Sequence, residues 1–255
     1  MSIDPPLPTA VDVDAEIEAL AKRYVSAGGV GITLLNTVGG SAENLLDRLP
    51  RPLRAGLEDA TVAALTQATR AAQMTRGVVA DQKPWLNQAV STAMGAAGGA
   101  GGLPTALAEL PVTTTMLLRV IQGVAVEHGF DPAEPNVQFD CVQVFAAAGP
   151  LSSDDGADLG FLAARLTLSG KAMQGLIAKI APRLATVLGQ KLAAQTVPVL
   201  GAMAGAAANY TYTAYYQDMA HVHFGLRRLA IEADVAPEEL LNRLQEKMKQ
   251  IRLRG

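Results

Sequence analysis

Cysteine is nearly missing from this chain. Cys141 is the only one in 255 residues, so the chain can close no internal disulfide and build no cysteine-based metal cluster of its own. Histidine is almost as scarce. There are three, and His221 and His223 stand two apart, about 200° around a helix, unlike the i, i+4 pair of a helical zinc site. No metal site and no cofactor are expected. Charge is thin, at 18% against the roughly 25% usual in soluble domains. Lys and Arg number 21 against 24 Asp and Glu, a net charge of −3, so no basic excess marks a nucleic-acid surface. Aromatics make up only 4%, and no stretch shows the apolar/polar alternation bounded by hairpin dipeptides that strands require. The first 14 residues hold three Asp and three Pro with no basic or apolar run, so they do not read as a secretory signal.

Apolar residues reach 49%, ample for a core. Ala-rich segments punctuated by Pro and Gly predict an all-α chain, with helices near 12–26, 28–48, 52–80, 85–101, 111–128, 136–148, 158–169, 171–188, 190–197, 199–231 and 237–252. The breaks between them are too short for flexible interdomain linkers, so one multi-helix bundle is expected. Within it, residues 1–27 form an extension and first helix, 28–231 the main domain, and 232–255 an amphipathic last helix. In that last helix Pro237 suits the first position and Glu238 and Glu239 the first turn. Leu240, Leu244, Met248 and Ile251 form a stripe, with basic residues around it. The stripe is expected to dock on the core, with a membrane surface or a partner helix as the alternative.

Three stretches carry no charge: 24–42, 84–108 and 192–217. Each is long enough to span a roughly 30 Å hydrocarbon layer as a helix. Their Ala, Gly, Thr and Ser content gives little apolar area, and Pro104 and Pro198 interrupt them, which speaks against autonomous membrane helices. Gly95 with Gly99, Gly98 with Gly102, and Gly201 with Gly205 are small-xxx-small pairs that let backbones approach closely. With so few aromatics, a core of Gly/Ala-rich, closely packed helices is expected. A hairpin able to enter lipid is the alternative. Tyr210, Tyr212, Tyr215 and Tyr216 cluster at the end of the third stretch, suited to a lipid headgroup layer, the lip of an apolar pocket, or a core with paired hydroxyls.

Polar residues in apolar company supply the remaining candidates. With Val112 at 0°, Met116, Leu117, Val120, Ile121 and Val124 occupy one arc of a helix, and Arg119 sits at its border. A cation there calls for a partner. Glu109 is too far along a straight helix, which leaves Asn209 and Asp218. Glu109, Arg119, Asn209 and Asp218 are therefore read as a buried polar network, or as a ligand headgroup site. Catalytic templates are missing. There is no Gly-x-Ser-x-Gly and no His-Glu-x-x-His, and the P-loop-like Ser169-Gly170-Lys171-Ala172 has Arg165 where its first glycine belongs. The 98–102 glycines have Pro104 in place of the third glycine of a dinucleotide fingerprint. Asp218 and His221 read as a surface pair at i, i+3, and Cys141 as a buried small hydrophobe.

Several blocks fall in order along the chain. They are Glu109-Leu110-Pro111-Val112-Thr113-Thr114-Thr115, Glu127-His128-Gly129-Phe130-Asp131, Cys141-Val142-Gln143-Val144-Phe145, Val197-Pro198-Val199-Leu200-Gly201, Gln217-Asp218-Met219-Ala220 and Phe224-Gly225-Leu226-Arg227-Arg228-Leu229. In these the chain resembles the bacterial EcsC family, from about Gly28 to Leu229. The resemblance implies a helical protein with membrane association and no assigned catalytic residues, in a family named for a protein encoded beside an ABC-type exporter. The expected function is binding of membrane lipid or an apolar ligand, with no nucleic acid as partner. An adaptor that regulates an ABC-type membrane transporter is the alternative, and a hydrolase with an unrecognised site is a weaker one. The expected location is the cytoplasm, or the periphery of the inner membrane on its cytoplasmic face.

Overall fold

A computed structural model describes residues 11–27, 29, 49–75, 110–147, 162, 170–194 and 201–254. The described residues form seven α-helices and no strand, an all-α multi-helix fold. They are α1 (Val13–Ser26), α2 (Arg51–Thr75), α3 (Leu110–Glu127), α4 (Pro135–Gln143), α5 (Gly170–Ala194), α6 (Gly201–Glu232) and α7 (Pro237–Arg254), with one 3₁₀ turn, Val144–Ala146, after α4.

Local chemistry sets the ends. Asp12 caps α1, its Oδ1 accepting from the Ala15 N–H at 3.1 Å, with Asp14 and Glu16 in the first turn where the dipole favours anions. The end of α3 is a Schellman motif. Gly129 takes φ +82°, its N–H donates to the Val126 carbonyl, and the Phe130 N–H donates to the Ala125 carbonyl. A side chain at 129 would be strained in that left-handed conformation, so glycine fixes where α3 stops and leaves His128 at its C-cap. Pro135 opens α4, and Pro237 opens α7 ahead of Glu238 and Glu239.

Each amphipathic helix buries a stripe. Ile17, Leu20, Ala21 and Tyr24 form that of α1, and Leu57, Thr61, Ala64, Leu65 and Ala68 that of α2. Buried threonines spend their hydroxyls on their own helix: Thr61 Oγ1 donates to the Leu57 carbonyl, and Thr114 Oγ1 to that of Leu110, both at 2.7 Å. α6 differs, because from Ala207 to Leu229 its buried residues cover roughly 260° of its circumference, leaving a strip of Tyr210, Ala214, Gln217, His221 and Arg228 partly open. It contacts α1, α3, α5, α7 and the 3₁₀ turn, while α2 packs on α3 and α5.

Three expectations change, and one, the docking of α7 on the core, is met. One continuous helix, α5, replaces the predicted pair with a break at Gly189, since one interior glycine costs only about 1 kcal/mol. The predicted 136–148 helix tightens into the 3₁₀ turn after Gln143. The buried arc of α3 is rotated away from Val112, which is exposed, toward Thr113 and Thr114, whose hydroxyls are partnered: Thr114 donates to the Leu110 carbonyl, and Thr113 Oγ1 accepts from Lys191 Nζ at 3.1 Å. The apolar stripe of α7 is already used: Leu240, Leu244 and Met248 are buried where α7 meets α1 and α6, with Lys247 bonding Glu18 at 3.1 Å and Arg243 near Asp14 at 3.6 Å. The 84–108 stretch with its glycine pairs, and most of 24–42, lie outside the described residues. Among the described residues, no helix is long and apolar enough to cross a membrane.

Docking of α7 has a direct test. Leu244 is fully buried, so Leu244→Ala should lower stability by about 2–5 kcal/mol in urea unfolding. An unchanged midpoint would mean that α7 does not dock.

Candidate functional site

Of the four residues of the expected polar network, the fold separates Asn209 from Asp218. Glu109 lies outside the described residues. Arg119 is half-buried on α3 and Asn209 is buried on α6. Asp218 follows Asn209 on the same helix by nine residues, about 13.5 Å along the axis and half a turn around it. Those two side chains cannot converge on one point. Asp218 instead stands near Arg23 of α1, and burial raises its carboxyl pKa above the ordinary 3.8.

The tyrosine cluster divides too. Tyr212, Tyr215 and Tyr216 are buried, and only Tyr210, 38% exposed, reaches solvent. A four-ring interfacial belt is therefore not what this helix presents. Rings at 212, 215 and 216 lie on the enclosed arc of α6 and enter the core, whereas Tyr210 lies on its partly open strip. Tyr216 meets Phe145 edge-on at 5.2 Å between centroids, and Tyr215 at 5.4 Å. Among the described residues the hydroxyls of Tyr212 and Tyr216 have no hydrogen-bond partner, and burial raises the pKa of both.

Two polar clusters sit on opposite sides of α6, as the 200° between its histidines requires. On one side, His128 Nε2 and His221 Nδ1 share a hydrogen bond at 3.1 Å, and His221 Nε2 lies 3.8 Å from Glu127. Burial, then Arg228 and Arg23, lowers the His128 pKa to about 4. Burial, then Arg23 and His128, lowers that of His221 to about 3. Both rings are neutral at pH 7, so one N–H lies between them, and the other His128 nitrogen, Nδ1, is buried with no partner among the described residues. On the other side His223 Nε2 approaches Asp140 of α4 at 3.6 Å, Arg227 pairs with the same carboxylate, and the Arg227 guanidinium lies 4.3 Å over the Phe130 ring. Sequence reading missed the His128–His221 pair, which spans 93 residues. Its one signal is Gly129-Phe130, which marks His128 as the end of a helix. Among the described residues, no group of three or more His, Cys, Asp or Glu is placed to hold a metal ion.

A concave feature lies elsewhere, between α2 and α5. A cleft of about 430 Å³ is lined by Val62, Thr66, Thr69 and Arg70 from α2, and by Met173, Gln174, Ile177 and Ala178 from α5. Its volume falls in the roughly 300–1,000 Å³ range of small-molecule sites. Thr66 and Thr69 donate to the Val62 and Leu65 carbonyls at 2.8 Å, so their hydroxyl protons are spent. Arg70 and Gln174 are left as the polar groups of an apolar lining.

The tyrosine hydroxyls make a testable case. With no partner to lose, Tyr212→Phe and Tyr216→Phe should leave the thermal midpoint unchanged or raise it. A loss of about 1–3 kcal/mol in either variant would reveal a bound acceptor.

Comparison with known proteins gives one result. The model of the EcsC protein family matches residues 41–229, from just ahead of α2 almost to the end of α6. No curated protein and no solved structure matches the chain. The family match covers well over half of the chain, agrees at its C-terminal end with the resemblance drawn from the residue blocks, and encloses both polar clusters and the cleft; the chain belongs to the EcsC family.

Proposed function

We propose that this protein binds a single-chain anionic amphiphile, of the fatty-acid type, in the cleft between α2 and α5. The observation that carries this reading is the lining itself: an apolar channel wall with one guanidinium and one amide. Val62, Met173, Ile177 and Ala178 match a hydrocarbon chain, and methionine adapts to chains of varied shape. The two threonines add no competing donor, because their hydroxyls are bonded within α2. Arg70, exposed on α2, suits a carboxylate or phosphate in bidentate geometry, with Gln174 as a further donor. Both walls belong to the family-matched part of the chain or follow within it, so the cleft is a property of the domain rather than of its terminal helices.

The test uses the full chain and a fluorescent polyene fatty acid. Saturable binding, displaced by palmitate and weakened about tenfold by Arg70→Glu, is the expected result, the loss of one charged contact being worth about 1.4 kcal/mol. Ala178→Trp places an indole in the cleft from an exposed helix position, and should abolish binding without lowering the thermal midpoint. Absence of saturable binding to the wild type, or equal binding by Ala178→Trp, overturns the assignment. Flotation with neutral and anionic vesicles separates uptake of a free amphiphile from attachment to a lipid surface.

A further inference from the structure

Two helices lie outside the family-matched residues, α1 before them and α7 after. They pack chiefly on each other and on α6. Between themselves they are tied by Lys247 to Glu18 at 3.1 Å and by Arg243 to Asp14 at 3.6 Å. Their seat on α6 is narrow. A Cβ on Gly225 would lie 2.7 Å from Leu20 Cδ2 and 3.6 Å from His128 Cε1, so Leu20 and His128 meet over the same bare point of α6 backbone. The hydrogen-bonded pair of His128 and His221 is therefore roofed by α1.

We propose that the α1–α7 pair is an acid-released cover whose latch is the His128–His221 pair, which joins the end of α3 to α6 and is covered by Leu20 of α1.

The charges around that pair give the latch its direction. From α1 it is faced by Arg23, and from α6 by Arg228, which also reaches Glu16 of α1 at 3.5 Å and Glu232 at 3.7 Å. The acids near it are Glu127 at the end of α3 and Asp218 on α6. α7 contributes its own charges to α1 rather than to the histidines. One hydrogen bond between two imidazoles requires an acceptor nitrogen, and a proton on each ring removes it. Protonation also sets a second cation against Arg23, which α1 carries, so repulsion acts on the helix that must leave.

The sign follows from linkage. Both histidines are depressed when covered, to about 4 and about 3, and return toward 6.5 when α1 lifts. Docking is full above pH 6.5 and is lost as the pH falls toward 4, by up to tenfold per pH unit for each histidine. Glu18, held at about 2 by Lys22 and then Lys247, weakens the cover only below its ordinary 4.5. The upper part of the window therefore belongs to the histidines. Asp218, whose pKa is raised, acts in the opposite sense at the acid end.

Hydrogen exchange on the full chain, corrected for intrinsic rates, tests this between about pH 7.5 and pH 5. The amides of 13–26 and 237–254 should lose protection at least tenfold on acidification, while those of 110–127 and 135–143 keep theirs. His128→Gln and His221→Gln, singly and together, put neutral amides in place of the rings and should flatten that pH response. Equal protection of α1 at both pH values overturns the proposal, and so does simultaneous loss across α3 and α4, which is global acid unfolding. An undiminished pH response in the single glutamine variants overturns it as well, whether or not the double variant folds.

Discussion

Enclosure of α6 is the constraint on which the rest of the structure depends. A surface helix spends one stripe on the core and leaves the other face to water. α6 has buried residues around roughly 260° of its circumference between Ala207 and Leu229, with neighbours in α1, α3, α5, α7 and the 3₁₀ turn. Such a helix has to be nearly free of charge along its buried length, because an unpaired charge there would lose its hydration without compensation. That accounts for the uncharged residues from Ala207 to Gln217 of α6. The same requirement would hold in lipid, which is why the run reads equally well as membrane or core until its neighbours are known.

The charged and titratable residues that α6 does carry appear where its neighbours supply partners. Asp218 and His221 face α1 and the end of α3, while His223 and Arg227 face Asp140 of α4. Two histidines two positions apart thus serve opposite sides of one helix. The Schellman turn at Gly129 is as important as α6 itself, since it ends α3 at His128 and sends Phe130 back to pack near Phe224, at 5.6 Å between ring centroids. One left-handed glycine positions residues in both clusters.

The family-matched region and the terminal helices play different parts. Residues 41–229 contain the α2–α5 cleft and the helix that organises the bundle. α1 and α7, distant in sequence, close on each other through apolar stripes and crossed ion pairs. The exposed pairs among these contribute little individually, at about 0–1 kcal/mol, so it is the burial of Ile17, Leu20, Leu240, Leu244 and Met248 that holds the pair together. The last helix, amphipathic enough to suggest a membrane surface or a partner, finds its partner within the chain.

The helical class, the starts of α1, α3 and α7, the burial of Cys141 and the divergence of His221 from His223 were all legible from residue order. Each rests on local geometry: a capping residue, a proline at a first turn, a period of 3.6. The rotation of α3 that exposes Val112, the core fate of three tyrosines and the meeting of His128 with His221 were not legible. Those depend on which helix lies alongside which, and apolar periodicity says that a face is covered without saying by what. Asn209 and Asp218 show the limit most plainly. Both are polar residues on one neutral helix, and only tertiary packing decided that one enters the core and the other faces an arginine from the opposite end of the chain.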